Sequence, residues 1–224
     1  LPPLPIQEEI VKILDSFTEL EAELDAELDA RNEQYEYYRD ELLTFGDDVE
    51  FKELEKFCIN IFSGKNRIRD KSGKYPIYGS TGIIGQTNQH VYDKQQILVA
   101  RVGANAGLVH IGYGKYDVSD NTLIIQIKDI INMKFLYYLL INMNLNQYAK
   151  GAGQPLITAG QLKSIKIPNI SLPEQERIVA ILDKFDALVN DISIGLPAEL
   201  EARREQYEYY RKKLLTFKEV ETND

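Results

Sequence analysis

Cysteine and histidine are scarce in this 224-residue sequence, which excludes several kinds of site. Cys58 is the only cysteine, so the chain can form no internal disulfide, and nothing points to an oxidising compartment. The two histidines, His90 and His110, belong to no cluster with metal-ligand spacing, and we interpret them as ordinary sheet or turn residues. We therefore expect a chain that binds no metal.

Long apolar runs and enzyme signatures are missing as well. The longest apolar run, residues 135–141, is far shorter than the roughly 20 residues of a membrane span, and no signal-peptide pattern is present. The stretches 103–107 and 151–153 match neither a dinucleotide fingerprint nor a phosphate loop. The sequence also lacks the Asp/Asn-Pro-Pro-aromatic motif of adenine methyltransferases and any convincing nuclease carboxylate cluster. These absences favour a cytoplasmic binding protein that is not an enzyme, binds no cofactor itself and contacts no membrane.

The two ends of the chain repeat each other around a different central segment. Residues 10–15 recur as residues 178–183 at an offset of 168, and residues 30–39 recur as residues 202–211 at an offset of 172. The second copy is therefore four residues longer, and the excess falls near Gly195. Because internal repeats constrain architecture strongly, this pattern defines three parts. They are a first helical copy (1–45), a central domain (46–170) and a second helical copy (171–224).

Both copies carry the apolar spacing of a coiled coil, with steps of three and four residues. This spacing predicts one helix over about 6–43. It also predicts a broken helix over about 174–215, because Gly195 weakens a helix and Pro197 suits the first turn of a new one. A long helix cannot bury its own apolar stripe, so we predict that the copies form an antiparallel coiled coil. Packing as a plain bundle is the alternative.

The duplicated helical copies also indicate how many partner proteins the chain could bind. Two near-identical surfaces on one chain suit two copies of one partner, related by a pseudo-twofold axis. Three tetrads in residues 19–30 resemble a spacer whose length changes in four-residue steps, although a solvated helix of good propensity explains them too. The candidate partner contacts are shared by both copies. They are Tyr35, Tyr38, Arg39, Tyr207, Tyr210 and Arg211.

The net charge of −9 is distributed unevenly. The helical copies together hold 25 acidic and 11 basic side chains, whereas the central domain holds 10 acidic and 15 basic ones. Since fields are screened over about 8–10 Å in physiological salt, a basic domain between acidic helices can still bind a polyanion. Five basic residues crowd around Gly64 and Gly73 and are candidate phosphate contacts, although a solvated loop would look the same. They are Lys65, Arg67, Arg69, Lys71 and Lys74.

The central domain alternates short strands with glycine turns, which predicts an α+β fold. A helix is predicted over about 133–143, and a shorter one follows the N-cap residue Thr158 through Leu162. A strand at 165–167 leads through Pro168 into the second helical copy. The other predicted strands are 75–78, 96–100, 107–113 and 122–128.

Four segments of this domain mix glycine with small polar residues: 78–82, 101–107, 119–122 and 150–155. Glycine lets the backbone approach a ligand closely, while Asn, Gln and Arg side chains can read base edges. Turn chemistry alone could explain each segment, and Arg101 could instead form a structural ion pair. One shared binding surface explains all four together. The candidate base-reading residues are Ser80, Thr81, Arg101, Asn105 and Gln154.

Several stretches, taken in order, carry a resemblance to a known family. They are Leu4-Pro5-Ile6-Gln7-Glu8-Glu9-Ile10, Glu33-Gln34-Tyr35-Glu36-Tyr37-Tyr38-Arg39, Tyr78-Gly79-Ser80-Thr81-Gly82, Val99-Ala100-Arg101-Val102-Gly103, Ser119-Asp120-Asn121, Gly153-Gln154-Pro155 and Leu172-Pro173-Glu174-Gln175-Glu176-Arg177-Ile178. With them the chain resembles the specificity subunit of a type I restriction-modification system. The tyrosine-rich helix end combined with the Leu-Pro-x-Gln start is specific to that family, whereas the glycine turns alone would not be.

The resemblance implies a target-recognition domain that reads one half of a bipartite site in double-stranded DNA. It also implies that the helices act as a ruler and bind two adenine methyltransferase subunits, which use S-adenosylmethionine, and that restriction/translocase subunits join the complex. One tetrad of helix adds about 6 Å, on the order of two base-pair rises, so tetrad number could set the gap between half-sites.

The chain departs from the family pattern by having one recognition domain instead of two. We therefore expect either the second half of a longer subunit or a half-length subunit that forms a homodimer, and the first residue, Leu1, favours a cut or processed chain. Two other functions fit the residues: a coiled-coil scaffold whose central domain binds protein, and a free-standing DNA-binding regulator.

Overall fold

The computed structural model describes residues 1–67, 72–151, 153–191 and 195–217. These residues belong to two compact units. Unit 1 contains Leu1–Arg39 and the described residues from Ile181 on, and unit 2 contains Asp40–Ala180. The domain limits drawn from the sequence, 46 and 170, stay predictions.

Five helices and nine strands make up the regular structure of the described residues, together with two short 3-10 turns. The helices are α1 (Leu4–Leu43), α2 (Met133–Asn142), α3 (Ala159–Ser164), α4 (Leu172–Asn190) and α5 (Leu196–Leu215). The strands are β1 (Phe51–Glu53), β2 (Cys58–Ser63), β3 (Tyr75–Gly79), β4 (Gly82–Thr87), β5 (Gln96–Ala100), β6 (Val109–Gly112), β7 (Asp117–Val118), β8 (Thr122–Ile127) and β9 (Lys166–Pro168). The 3-10 turns are Leu54–Phe57 and Leu145–Tyr148.

In unit 1, α1 packs along α4 and α5. Residues 6–43 contain neither glycine nor proline, which is why α1 continues without a break. The ring of Phe17 lies 5.4 Å from the ring of Tyr210, and the ring of Phe185 lies 5.3 Å from that of Tyr38. The start of α1 therefore faces the end of α5, which confirms the predicted antiparallel coiled coil.

These ring contacts obey a pseudo-twofold relation. Phe17 and Phe185 hold equivalent positions in the two sequence copies, and so do Tyr38 and Tyr210. Each phenylalanine stacks on the tyrosine of the other copy, with interplanar angles of 27° and 26°. Two equivalent helices thus pair through equivalent contacts, as twofold symmetry requires.

The four extra residues of the second copy fall at the break between α4 and α5. Gly195 precedes α5, and a proline occupies its first turn, as predicted. A Cβ on Gly195 would lie 2.6 Å from the carbonyl oxygen of Ala187 and 2.7 Å from that of Leu188, so this close approach requires glycine. Because both aromatic clusters are kept, the break absorbs four residues without lengthening the helix pair.

Unit 2 is built around an antiparallel sheet of order β2-β8-β5-β6. A second sheet has the order β4-β3-β7, in which β3 and β7 are parallel. Leu98 and Ile124 of the first sheet share a buried core with Val118 of the second and with Tyr116. A third pairing, β1 with β9, joins the beginning of this domain to its end.

Caps define the helices of unit 2. The side chain of Asn132 accepts hydrogen bonds from the N–H groups of Lys134 and Phe135 and so begins α2. Thr158 begins α3 through a capping box with Gln161, which confirms the predicted N-cap.

The fold class is confirmed as α+β with flanking long helices. The predicted helices and strands are found within a few residues of their expected limits. Strands β1, β2, β4 and β7 were not predicted.

Candidate nucleic-acid interface

One end of the four-stranded sheet gathers most of the loops that the sequence pattern singles out. β2 ends at Ser63, β5 ends at Ala100 and β8 begins at Thr122, and the ladder places these three residues at the same end. We call this the loop end of the sheet. The described residues of the segments that leave or enter it are 64–67, 101–108 and 119–121.

Backbone hydrogen bonds join these segments. The N–H of Asn66 donates to the Val118 carbonyl (2.9 Å), and the N–H of Asp120 donates to the Asn66 carbonyl (3.3 Å). The N–H of Ser119 donates to the Tyr78 carbonyl (2.8 Å), which adds the turn between β3 and β4 to the loop end. The two residues of that turn are Ser80 and Thr81.

Arg101 directly follows β5 and is fixed through its backbone. Its N–H donates to the Asn121 carbonyl (2.9 Å), and its own carbonyl accepts from the N–H of Ile157 (2.9 Å). The guanidinium is half-buried and donates to the Ser63 hydroxyl over 3.3 Å. Among the described residues no carboxylate pairs with it, so the alternative of a structural ion pair is not realised there. The hydrogen bond to Ser63 is the one side-chain hydrogen bond that its guanidinium makes to a described residue.

The glycine loop after Arg101 lies against a second chain segment. Gly107 has a φ of +97°, and a Cβ there would overlap the backbone nitrogen of Asn146, so this approach requires glycine. The side chain of Asn146 donates to the Ala106 carbonyl (2.9 Å) and holds the loop in place.

A concave surface results beside this loop. It encloses about 340 Å³, and amide side chains on its lining include Asn105, Asn144 and Asn146. The N–H of Gly103 donates to the Pro155 carbonyl (2.9 Å), which ties the segment containing the exposed Gln154 to the same loop. Amides carry a donor and an acceptor side by side, as the recognition of base edges requires.

The predicted phosphate contacts are only partly gathered here. Lys65 is exposed, and its N–H donates to the Val118 carbonyl (3.1 Å) at the loop end. The side chain of Arg67 is 86% exposed and forms an ion pair with Asp120 (3.3 Å). Arg69 and Lys71 lie outside the described residues.

Lys74 lies elsewhere. Its N–H donates to the Thr87 carbonyl (3.0 Å), which places it at the far end of the β3–β4 hairpin from the turn at Ser80. The hairpin therefore separates Lys74 from Lys65.

Sequence reasoning missed two asparagines at the loop end. Asn66 pairs with Ser119 through its backbone, and its side chain donates to the Asp117 carboxylate (2.5 Å). Asn146 positions the glycine loop, as described above. Asn66 lies within the basic loop that the composition had marked, whereas no local pattern connects Asn146 to residues 40 positions earlier.

Neither histidine belongs to the segments that form the loop end. His110 lies on β6, and its Nε2 is buried with no hydrogen-bond partner among the described residues. Burial lowers the pKa of His110, so its ring is neutral at pH 7. The ring of His90 lies 4.7 Å from that of Tyr75.

In unit 1, the predicted tyrosine contacts lie at the seam between the helices. Tyr35 and Tyr38 lie against Phe185, and Tyr207 and Tyr210 lie against Phe17. Their faces toward the other helix are therefore already in use, although Tyr38 and Tyr210 remain partly exposed, at 37% and 36%.

Of the two arginines predicted as partner contacts, Arg39 lies beside a tyrosine ring and Arg211 lies on the surface. The guanidinium of Arg39 lies 5.7 Å from the ring centroid of Tyr35, and Arg211 pairs with Glu208 (3.4 Å). The most exposed tyrosines are Tyr37 and Tyr209, at 65% and 60%, and neither is among the predicted partner contacts.

Within the described residues, no three His, Cys, Asp or Glu side chains cluster as metal ligands would. None of the described helices carries an apolar stretch long enough to cross a bilayer.

Known proteins resemble the chain over nearly its whole length. Residues 46–202 match the family described as the type I restriction modification DNA specificity domain. The chain is 39% identical to the EcoprrI specificity subunit of Escherichia coli, over 85% of this chain and 51% of that subunit. It is 36% identical to the EcoR124I/EcoR124II specificity subunit of the same species, over 98% of this chain and 61% of that subunit. The chain thus spans between half and two thirds of the length of these two relatives.

A relative of more similar length and two solved structures agree. A putative type I specificity subunit of Mycoplasma pneumoniae is 34% identical over 93% of this chain and 89% of its own length. The S subunit of the type I restriction-modification system from M. genitalium shares the fold with a TM-score of 0.66 at 17% identity, over 96% of this chain and 62% of that one. The HsdS subunit of Thermoanaerobacter tengcongensis also shares the fold, with a TM-score of 0.66 at 18% identity over 96% of this chain and 59% of that one.

These relatives are specificity subunits, which are the non-catalytic subunits of their systems, and this confirms the prediction that the chain is not an enzyme. The family match covers more than half of the chain, and the M. pneumoniae relative is covered over most of its length. The chain belongs to the type I restriction modification DNA specificity domain family.

Proposed function

We propose that the chain reads one half of a bipartite site in double-stranded DNA through the loop end of the sheet. The observation that carries this proposal is Arg101, whose guanidinium lies among the hydrogen-bonded loops without a described carboxylate partner. A guanidinium fork pairs with O6 and N7 of guanine in the major groove. A cation that is anchored through its backbone and left unneutralised suits that role.

The surroundings of Arg101 support the same role. Asn105 and Gln154 are exposed on segments tied to the glycine loop, and Ser80 and Thr81 form a turn at the same end. We assign these side chains to base contacts and Lys65 and Arg67 to phosphate contacts. Residues 58–170 hold 13 basic and 5 acidic side chains, so the field around this unit attracts DNA despite the acidic helices.

Unit 1 is proposed to bind two adenine methyltransferase subunits. Its pseudo-twofold pairing presents two equivalent surfaces, which suit two copies of one partner. S-adenosylmethionine would be bound by those partners, and restriction/translocase subunits would join them in the cytoplasm. A homodimer, in the case of a half-length subunit, belongs to the same proposal.

DNA binding is tested by gel shift with and without the methyltransferase, at salt concentrations from about 50 to about 200 mM. Replacing Arg101 by Ala should weaken the binding free energy by roughly 1–3 kcal/mol and should relax the base preference at one position of the site. Replacing it by Lys should keep the salt-dependent affinity but lose that base preference, because the amine lacks the planar fork. Lys163→Ala, which removes a lysine already paired with Glu55, is the matched control and should change neither quantity.

The outcomes separate the candidate functions. Absence of duplex binding even with the methyltransferase present would favour a scaffold whose central domain binds protein. An Arg101→Lys variant with an unchanged base preference would restrict Arg101 to phosphate contact. Specific binding that does not require or recruit a methyltransferase would favour a free-standing regulator.

A further inference from the structure

The concave surface beside the glycine loop differs in charge from the rest of the loop end. It is lined by residues 104–109 together with Ile141, Asn144 and Asn146, and we call it the amide pocket. None of these described residues carries a charged side chain, whereas neighbouring segments of the loop end contribute lysine and arginine. A group that fits the amide pocket is therefore itself uncharged.

The three asparagines of the amide pocket are used differently by the fold. The side chain of Asn146 donates to the Ala106 carbonyl (2.9 Å), so this amide positions the loop. The side chains of Asn105 and Asn144 are exposed and make no hydrogen bond to any residue that the structure describes. These two amides therefore have a donor and an acceptor to offer to a ligand.

The backbone of Asn144 is held at both of its polar groups. Its φ is +45°, in the left-handed region, which asparagine adopts more readily than most other residues with a side chain. Its N–H donates to the Ile141 carbonyl (3.0 Å), and its carbonyl accepts from the N–H of Gln147 (3.1 Å). The amide of Asn144 is thus presented from a fixed backbone, which lowers the entropy cost of binding.

Leu108 presents an apolar group in the same pocket and is held in the same way. Its N–H donates to the Asn105 carbonyl (2.9 Å), and its carbonyl accepts from the N–H of Ala100 (2.8 Å). Its side chain is nevertheless 44% exposed. Ile141, which also lines the pocket, is partly exposed as well. The amide pocket therefore combines a fixed amide with fixed apolar surface.

This combination matches one kind of base pair better than the other. In the major groove guanine presents two acceptors, which suit a lysine or arginine, and cytosine presents a donor, which suits a carboxylate. The described lining of the amide pocket contains neither a cation nor a carboxylate. Adenine presents one acceptor and one donor, which an amide matches, and thymine presents a methyl group, which an apolar side chain matches.

We infer that the amide pocket reads one A·T base pair of the half-site. The Nδ2 of Asn144 donates to N7 of adenine, the N6 amino group donates to the Oδ1 of Asn144, and Leu108 packs against the 5-methyl group of thymine. Asn144 and Leu108 are thus specificity-determining residues that lie outside the predicted base contacts. The inference rests on the proposed DNA reading and adds a base pair to the one assigned to Arg101.

Base analogues test the inference on the chain in complex with the methyltransferase. Selection of duplexes from a random pool first gives the half-site, in which we expect an A·T pair that the Asn144→Gly variant no longer selects. Glycine tolerates the left-handed backbone, so this substitution removes only the side chain. In the selected duplex, 7-deazaadenine then replaces N7 of that adenine by C–H, and uracil in place of thymine removes the methyl group.

The two analogues should report on different residues. With the unaltered chain, 7-deazaadenine should raise the Kd roughly ten-fold, because a bidentate pair loses one hydrogen bond. Uracil should raise it about four-fold, the factor that corresponds to one methyl group returned to water. In Asn144→Gly the uracil effect alone should remain, and in Leu108→Ala the 7-deazaadenine effect alone. Asn88→Ala, which changes an exposed asparagine just after β4, is the matched control and should keep both effects.

Several results would overturn the inference. One is a selected half-site that contains no A·T pair, and another is a pair of analogue effects that neither Asn144→Gly nor Leu108→Ala changes. Loss of both effects in each single variant would show a displaced loop and would overturn the two assignments as well. Failure of the proposed function looks different, because the complex would then bind no duplex or would select no bases at all.

Discussion

The paired aromatic clusters of unit 1 lead us to expect that two distant substitutions destabilise the protein equally. Phe17→Ala and Phe185→Ala each remove a half-buried ring that stacks on a tyrosine of the other helix. An enclosed phenylalanine buries on the order of 200 Å². Half of that area, at about 25 cal/mol per Å², corresponds to about 2.5 kcal/mol, and the lost ring pair adds roughly 0.5 kcal/mol. Each variant should therefore lose about 3 kcal/mol of the free energy of unfolding.

Urea unfolding followed by circular dichroism measures these losses. Tyr37→Ala removes a ring that is 65% exposed and should change the free energy of unfolding by less than about 0.5 kcal/mol. Along α1 the two clusters are about 30 Å apart, so the losses in the Phe17/Phe185 double variant should add. A large loss in one single variant with none in the other would refute the pseudo-twofold reasoning, and so would two variants as stable as the Tyr37 control.

Three further predictions follow from the same structure. Deleting residues 23–26 should change the preferred gap between half-sites while leaving their bases unchanged, and methylome sequencing that showed the reverse would contradict the ruler. Burial lowers the pKa of His110, so the imidazole binds a proton more readily in the unfolded chain than in the folded one. The folded protein therefore keeps its full stability above the ordinary histidine pKa of 6.5 and loses part of it as the pH falls through that value. His110→Gln should flatten the dependence of urea midpoints on pH between about 7.5 and about 5.5, and an unchanged slope would rule this cause out. Gly195→Ala should cost roughly 1–3 kcal/mol because its Cβ meets backbone carbonyls, whereas Gly153→Ala, with no atom within 4 Å of its Cβ, should be nearly neutral.

The helices of unit 1 could be predicted closely because their signals are local. Heptad spacing, the absence of glycine and proline over residues 6–43, and the pair Gly195 and Pro197 each act within a turn or two of helix. Strands β2 and β4 were missed because they mix isoleucine with glycine, asparagine or glutamine and show no clean alternation. The sheet order β2-β8-β5-β6 depends on pairings far apart in sequence and has no local signature.

The sequence could predict which types of residue form the candidate site, but not which of the candidate residues the fold brings together there. Lys65 and Lys74 share one basic loop, yet the β3–β4 hairpin places Lys74 away from the loop end. Arg101 could be marked as a strand-end cation, but only the fold shows whether a carboxylate lies near it. Asn146 reaches the glycine loop through tertiary contacts alone.

If the two paired helices act as the proposed ruler, the break at Gly195 would let its length change in one helix only. The tetrads of residues 19–30 lie between the two aromatic clusters, so adding or deleting one changes the separation of the clusters by about 6 Å along α1. A continuous partner helix would then lose one cluster, because its own length would not change. The second copy is not continuous, and its break already absorbs four residues while both clusters stay in contact. The proposed gap between half-sites could therefore vary through α1 alone, while the loop end of unit 2 and the bases that we propose it reads stay unchanged.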